Sequence, residues 1–297
     1  MKKIIIVLAL PLVLFSCGQF SNSEKDSTRD MRIVCVSKQL NEMIFALGKG
    51  HDIVAVDLSS TYPDSAKLLP TVGYHRMLSA EGIISMKPDI VLHDNDMGPA
   101  SVLPQLEKSG LNIKAFEIGR TIDSSKIILK QLADFFHVPQ IADSLNKKLD
   151  ADLLTAKNTL AAINIKDTPT VMVIQFGRAN NSFFVMSGRG GITDRMIELA
   201  GGKPAHYDAK GARQMSAEAV ATANPDIIIA TDYGFDKMGG AENFKNGIPG
   251  LNLTNAAKNN RIYRFEEHDL VYFGPRTGGN VMRLMKLFYP NANVPAK

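Results

Sequence analysis

Cysteine is nearly absent from this chain of 297 residues, which holds only Cys17 and Cys35. Two such residues build neither a disulfide framework nor a cysteine metal site, and Cys35, inside the apolar run Arg32-Ile-Val-Cys-Val36, reads as a small core residue. Long hydrophobic runs are missing too. The apolar stretch from Ile4 to Phe15 falls short of the roughly 20 residues a membrane-spanning helix needs. Charge of either sign is in little excess: the formal net charge of +4 drops to +2 without Lys2 and Lys3, and no basic run is concentrated anywhere. That balance excludes nucleic acid as a partner. No Gly-x-x-x-x-Gly-Lys-Ser/Thr loop is present, so no nucleotide is expected. An extracytoplasmic α/β hydrolase or chelatase would need a nucleophile with its base, or an open metal site. Neither a Gly-x-Ser-x-Gly elbow nor a His-Glu-x-x-His pair occurs, and the chain is expected to bind rather than to catalyse.

What is present begins with an address. Lys2-Lys3 and the short apolar run describe a secretory signal over residues 1–16, and Leu14-Phe15-Ser16-Cys17 matches the bacterial lipoprotein box, in which Cys17 is acylated. Acyl chains on Cys17 would hold the folded part on a membrane while it stays in water, with polar residues 17–30 as a flexible tether. The expected location is periplasmic and membrane-anchored.

The 267 residues from Met31 suffice for two medium lobes. A repeated phrase says the same: Leu78-Ser-Ala-Glu81 through Pro88-Asp89-Ile-Val-Leu92 returns as Met215-Ser-Ala-Glu218 through Pro225-Asp226-Ile-Ile-Ile229. In each copy the serine caps a short helix, the glutamate falls in its first turn, and Pro-Asp stops the helix before an apolar strand. A fainter echo pairs Asn41–Gly48 with Asp194–Gly201, each a helix ended by a left-handed glycine. Strands are predicted at 32–36, 53–56, 90–92 and 113–116, then at 171–174, 183–186, 227–230 and 262–265, with helices between them. Alternation of this kind means α/β lobes with parallel central sheets, Rossmann-like in plan. Between the halves lie amphipathic residues 123–136 and a long pattern over 140–163 carrying Ile141, Leu145, Leu149, Leu153, Leu154 and Leu160. At about 1.5 Å per residue that helix runs roughly 36 Å, enough to join one lobe to the next and to limit hinge motion. The lobes are set at 31–120 and 167–297, with linking helices over 121–166.

With these features the chain resembles the substrate-binding proteins of ABC importers, in the class with two lobes joined by a long α-helix that serves cobalamin, ferric siderophores and haem. The stretch Ser60-Thr-Tyr-Pro63, followed by Val72-Gly73-Tyr74-His75-Arg76, is similar to the haem-binding branch, which has Val-Gly-Tyr-x-Arg. The resemblance implies Tyr74 as axial ligand to the iron of ferric haem, Arg76 as the cation favouring its phenolate, and Gly274-Pro-Arg276 as a border of the cleft with Arg276 on the tyrosine or a propionate. A phenolate is a hard anion that suits ferric iron, and two residues on in an extended loop Arg76 projects to the same side as Tyr74. His75, where the family commonly has an apolar residue, points away in such a loop and is expected at the surface or on a propionate. A second axial ligand from the far lobe is left open between His206 and His268; His51, His93 and His137 default to structural or surface roles. The loop Met186-Ser-Gly-Arg189-Gly190-Gly, opening a helix, suits a propionate carboxylate, or serves only chain reversal. Tyr233, Phe235, Met238 and Tyr272 are expected on loops as apolar walls for a porphyrin face. The resemblance further implies that Glu81 and Glu218, one acid per lobe, dock to the permease dimer served by its ATPase. Within the class, cobalamin or a ferric siderophore remains the alternative cargo, with Tyr74 then a wall of the cleft.

Overall fold

The computed structural model describes residues 31–163, 165, 167–177, 182–186, 190–205, 212–214 and 216–295. Arg189, His206 and Cys17 therefore lie outside the described residues.

In the first lobe β1 (Ile33–Cys35), β2 (Ile53–Val56), β3 (Ile90–Asp94) and β4 (Asn112–Phe116) form a parallel sheet in the order β2-β1-β3-β4. Its strands are short apolar runs because both faces are covered. Ile33 and Cys35 pack under α1 (Lys38–Ala46), while Val34 and Val36 face the opposite cluster with Ile83 of α2 (Ala80–Ser85) and Leu106 of α3 (Val102–Lys108). Two helices then leave the lobe, α4 (Ile122–Phe135) and α5 (Pro139–Ala162), the first opened by a capping box between Thr121 and Ser124. Pro139 starts α5 where its missing N–H costs nothing.

The long helix differs from its sequence pattern. Ala142, Asn146, Leu149, Asp152 and Ala156 are buried, while Ile141 and Leu154 are exposed. Ala142 and Asn146 lie on the α4 side, while Ala156 and Asp152 lie beside α11 (Thr277–Phe288), which comes very close: a Cβ on Gly278 would lie 2.4 Å from Asp152 Cβ.

In the second lobe β5 (Thr170–Phe176), β6 (Phe183–Met186), β7 (Lys203–Pro204), β8 (Ala212–Arg213), β9 (Ile227–Thr231) and β10 (Ile262–Phe265) form one sheet, ordered β10-β9-β5-β6-β8 with β7 beside the start of β5. Pairings among β10, β9, β5 and β7 are parallel. The lobe departs from a wholly parallel plan at β6, which turns back antiparallel on β5 and on β8. Val171 and Val173 pack with α6 (Ile192–Leu199) and α11, and Met172 and Ile174 with α7 (Ala217–Ala223), α9 (Ala241–Gly247) and α10 (Asn255–Lys258).

The duplication is visible in detail. Gly48 and Gly201 end α1 and α6 at φ +77° and +82°, and the next residue's N–H closes each helix, Lys49 on Ile44 O at 3.0 Å and Gly202 on Ile197 O at 2.9 Å. Lys87 and Asn224, the residues before each Pro-Asp, are both left-handed. Each following aspartate clips the start of the lobe's first strand: Asp89 Oδ2 accepts from Arg32 N at 2.8 Å, and Asp226 Oδ2 from Thr170 N at 2.9 Å. The Pro-Asp pair thus stops a helix and also fixes strand register in both lobes.

Candidate functional site

A parallel sheet gathers its loops at the carboxyl ends of its strands, and a ligand crevice forms where the strand order reverses. In the first lobe that point lies between β1 and β3. There Ser37 caps α1 by accepting from Leu40 N and donates its hydroxyl to Asp94 Oδ2 at 2.6 Å. Next to it Asp57, buried at the end of β2, accepts from Ser60 Oγ at 2.6 Å, Ser59 N at 2.9 Å and the Ser59 hydroxyl. Burial pushes the Asp57 carboxyl up, but hydrogen bonds from His75, Ser59 and Ser60 together hold it below the usual carboxylate range.

Tyr74 begins a tight turn on this edge. Met77 N donates to Tyr74 O at 2.7 Å, and the neighbouring loops bracket the turn through Leu58 N to Gly73 O and Gly98 N to His75 O, both 2.8 Å. Gly73 takes φ +104°, which only glycine adopts freely. The phenol is half-buried, its ring centroid 4.3 Å from that of His75. His75 Nδ1 lies 3.2 Å from Ser59 Oγ and 3.5 Å from Asp57, and its Nε2 lies 3.5 Å from Asp96. Arg76 makes a forked ion pair with Asp96 at 2.6 and 3.2 Å. That pair raises the guanidinium's pKa, with a smaller contribution from Tyr74.

The second lobe presents its own strand ends to the same groove. Helix α8 (Asp232–Lys237) follows β9 directly and carries Tyr233, with Lys237 Nζ 4.9 Å from the Phe176 ring and 5.7 Å from the Tyr233 ring. Between the lobes lies a groove of about 530 Å³ whose lining includes Leu58 and Tyr233, the cations Lys67, Lys237 and Arg264 and the acids Asp57, Asp232 and Asp236. A larger groove of about 830 Å³ sits at the other end of the second lobe's strands, around Arg261 and Tyr289, and contains none of the residues singled out by sequence.

The floor of the crevice is a cross-lobe polar cluster. Glu42 of α1, 4% exposed, accepts from His268 Nε2 at 2.6 Å and Arg276 Nε at 3.0 Å, and the Tyr272 hydroxyl bonds His268 Nδ1. Arg276 also binds Asp269 at 2.5 Å and stacks over Tyr62, its Cζ 3.5 Å from the ring centroid. Gln39 Nε2 and Ser125 Oγ both donate to Phe273 O, at 2.8 and 2.7 Å, and Lys38 pairs with Glu267 at 3.1 Å.

The periplasmic binding protein family model matches residues 33–268. The chain belongs to that family. It is 26% identical over 88% of its length to the uncharacterized ABC transporter substrate-binding lipoprotein YvrC of Bacillus subtilis, covering 80% of that protein. It is 25% identical over 83% of its length to the vitamin B12-binding protein of Vibrio campbellii, covering 85% of it. Among solved structures it matches the apo periplasmic heme-binding protein RhuT of Roseiflexus sp. RS-1, with a TM-score of 0.79 and 33% identity, over 88% of this chain and 98% of that one. As a periplasmic binding protein of the ABC transporter class it is a substrate-binding protein and not an enzyme, working with a permease and its ATPase, and among the described residues no helix is long and apolar enough to cross a membrane.

Within this periplasmic binding protein, Tyr74, His75 and Arg76 come together, but the geometry corrects several expectations. Residues 74–77 form a closed turn and not an extended loop, so His75 is tucked against Tyr74 and not turned to the surface. Arg76 is held by Asp96. Tyr233 and Phe235 sit on α8 and not on a loop, with Met238 as its C-cap. Tyr272 is 4% exposed and belongs to the floor, where its hydroxyl is engaged. His268 has both ring nitrogens bound and cannot serve as a second axial ligand in this arrangement. Arg276 is committed to Glu42 and Asp269 and not to Tyr74. Gly190 is exposed at φ +79° before α6. Glu81 and Glu218 are both exposed in the first turns of α2 and α7, capped by Ser79 and Ser216. Sequence reasoning missed Glu42, Asp57 and Asp96. Asp57 had a signal, an acid directly after a buried strand at the ligand edge of the sheet; Glu42 had a fainter one, an acid on the apolar face of α1.

Proposed function

We propose that this protein captures ferric haem in the groove between its lobes, with Tyr74 as the iron ligand, and delivers it to an ABC permease. The carrying observation is the Tyr74 turn: a half-buried phenol at the ligand edge of the first sheet, with a guanidinium two residues on. Ligation breaks the phenolic O–H bond, forms an Fe–O bond and releases the proton to water; a free tyrosine has a pKa near 10, so ferric iron and nearby positive charge must favour the phenolate. Leu58 and Tyr233 give the groove an apolar wall, and Lys67, Lys237 and Arg264, set among Asp57, Asp232 and Asp236, supply the cations for a porphyrin's propionates. Gly190, with Arg189 beside it in sequence, stands as a further propionate contact. Glu81 and Glu218 are the docking acids for the two-fold permease, because pseudo-symmetric lobes present paired charges to a symmetric partner. Cys17 carries the lipid anchor that keeps the protein at the periplasmic face of a membrane.

Cobalamin is the second reading, favoured by the name of the Vibrio campbellii relative. Titration of the purified protein with hemin and with cyanocobalamin separates the two. The haem reading expects the visible spectrum of tyrosine-ligated ferric haem with hemin, its loss in Tyr74→Ala, and no tight cyanocobalamin binding. An unchanged hemin spectrum in Tyr74→Ala, or tight binding of cyanocobalamin alone, overturns it.

A further inference from the structure

The residue after the proposed ligand is held more firmly than a groove-lining side chain requires. His75 is bound on both sides of its ring: Nδ1 faces Ser59 Oγ at 3.2 Å and Asp57 at 3.5 Å, and Nε2 faces Asp96 at 3.5 Å. Each of those partners is itself fixed. Asp57 takes Ser60 Oγ, Ser59 N and the Ser59 hydroxyl, and its side chain is fully buried. Asp96 is tied to Arg76 at 2.6 Å, and its own N–H is bound by Asp94 Oδ1 at 3.0 Å. The backbone of the segment is closed by the Met77–Tyr74 turn and by the Gly98–His75 hydrogen bond. What remains free is the Tyr74 side chain, and the ring packed against it is the imidazole, with centroids 4.3 Å apart and planes inclined by 59°.

Resting on the haem reading, we propose that His75 is the positioning residue for Tyr74: clamped by Asp57, Ser59 and Asp96, its imidazole sets the orientation of the phenol that receives ferric iron, and it does not bind the iron itself. Two observations and one general principle favour this role over ligation. Both ring nitrogens face oxygen atoms of the first lobe, so neither nitrogen is presented to the groove. Releasing the ring would leave Asp57 buried without one of its partners, which is costly. A ligand that must be met in one geometry is held best when the groups behind it are themselves locked, and loss of such a supporting group lowers metal affinity by about 10–100-fold.

The test uses hemin with the full-length folded protein. Tyr74→Ala reports on the haem reading. His75→Asn keeps a polar partner for Asp57 but removes the ring, His75→Phe keeps a ring but not its clamps, and Ser59→Ala loosens one clamp. Hemin release to an excess of acceptor apoprotein is followed by stopped flow, with thermal melts of each apo variant alongside. The expected result is that His75→Asn keeps the tyrosine-ligated charge-transfer band yet releases hemin about 10–100-fold faster. His75→Phe and Ser59→Ala should fall between it and the parent, without tracking the order of thermal midpoints. A release rate for His75→Asn within twofold of the parent overturns the proposal, and so does loss of an imidazole ligand signature in its electron paramagnetic resonance spectrum. A parent protein that binds no hemin overturns the haem reading first, and this inference with it.

Discussion

Removing the Glu42 carboxylate should cost the protein more stability than any other single surface or cleft change described above. Its side chain is 4% exposed, as is His268, and it anchors His268 Nε2 at 2.6 Å and Arg276 Nε at 3.0 Å across the lobes. Breaking a buried ion pair by deleting one partner typically costs about 3–5 kcal/mol, because the other is left desolvated and uncompensated. Arg276 retains Asp269 and its stack on Tyr62, which places Glu42→Ala near the lower end, about 3 kcal/mol. Glu42→Gln keeps the shape and a hydrogen-bonding oxygen and should cost about 1–3 kcal/mol. Burial alone would push the Glu42 carboxyl up, but the hydrogen bond and charge of His268 and the charge of Arg276 outweigh it and hold the group below its usual 4.5. A depressed folded-state pKa stabilises above the unfolded value and fades as pH falls through the folded one. The difference in unfolding free energy between parent and Glu42→Gln should therefore be full at pH 6–7 and shrink below about pH 4.5. Urea unfolding at several pH values, with the slope checked for constancy, measures it. A Glu42→Ala loss under 1 kcal/mol, or a parent–Gln difference that grows on acidification, would refute the idea that this carboxylate is ionised and carries the floor.

Asp89→Ala and Asp226→Ala should each destabilise by about 0.5–1.5 kcal/mol, since each removes the acceptor of the N–H that opens a lobe's first strand; hydrogen exchange should rise first at Arg32 and at Thr170 respectively. Gly278→Ala should cost about 1–3 kcal/mol by thermal unfolding, because its Cβ would sit 2.4 Å from Asp152 Cβ at the tightest contact of α5 and α11. Ser79→Ala and Ser216→Ala each remove an N-cap and should cost about 1 kcal/mol. Under the proposed docking, Glu81→Arg and Glu218→Arg should leave hemin binding intact while abolishing stimulation of the permease's ATPase in reconstituted vesicles; unchanged stimulation in the double variant would remove these acids from the interface.

Much of the architecture was legible because local and global preferences agree. Strands such as Ile33–Cys35 and Ile227–Thr231 are short apolar runs between caps and turns, and burial on both faces demands that composition. The glycines ending α1 and α6 were readable for the same reason, since φ near +80° is cheap for glycine alone. Other parts were set by distant contacts. Helix α8 carries Gly234 in its middle and reads as a loop, yet a Cβ there would lie 2.4 Å from Phe176 Cβ, so the glycine serves close packing against β5. The apolar spacing over 140–163 identified the long helix but not its buried side, because small residues are selected where neighbours come close, Ala142 beside α4 and Ala156 beside α11. The Tyr74 segment looked extended because its closure comes from Leu58 and Gly98, loops separated from it in sequence. Nothing local signals that a histidine there will turn inward to Asp57.

The duplication and the floor bear on each other. Two lobes joined only by α5 could rock about it, but Glu42, Lys38 and Gln39 of α1, with Ser125 of α4, all reach the 267–276 segment of the second lobe. Those contacts sit at the base of the groove and the Tyr74 turn at its ligand edge, so motion compatible with the floor is confined to the loops and helix ends around the groove. Glu81 and Glu218 lie on helices packed against the two sheets, and rigid lobes on a shared floor keep the spacing between those acids nearly constant. A permease reading only that spacing would not distinguish loaded from empty protein. Under the haem reading, discrimination is then expected at the groove rim, where Lys67, Lys237 and Arg264 would meet an anionic ligand. Glu42→Gln, by loosening the floor while leaving the rim untouched, should lower stimulation by the loaded and the empty protein alike and keep their ratio; if both stay at the parent level, the floor does not set the spacing.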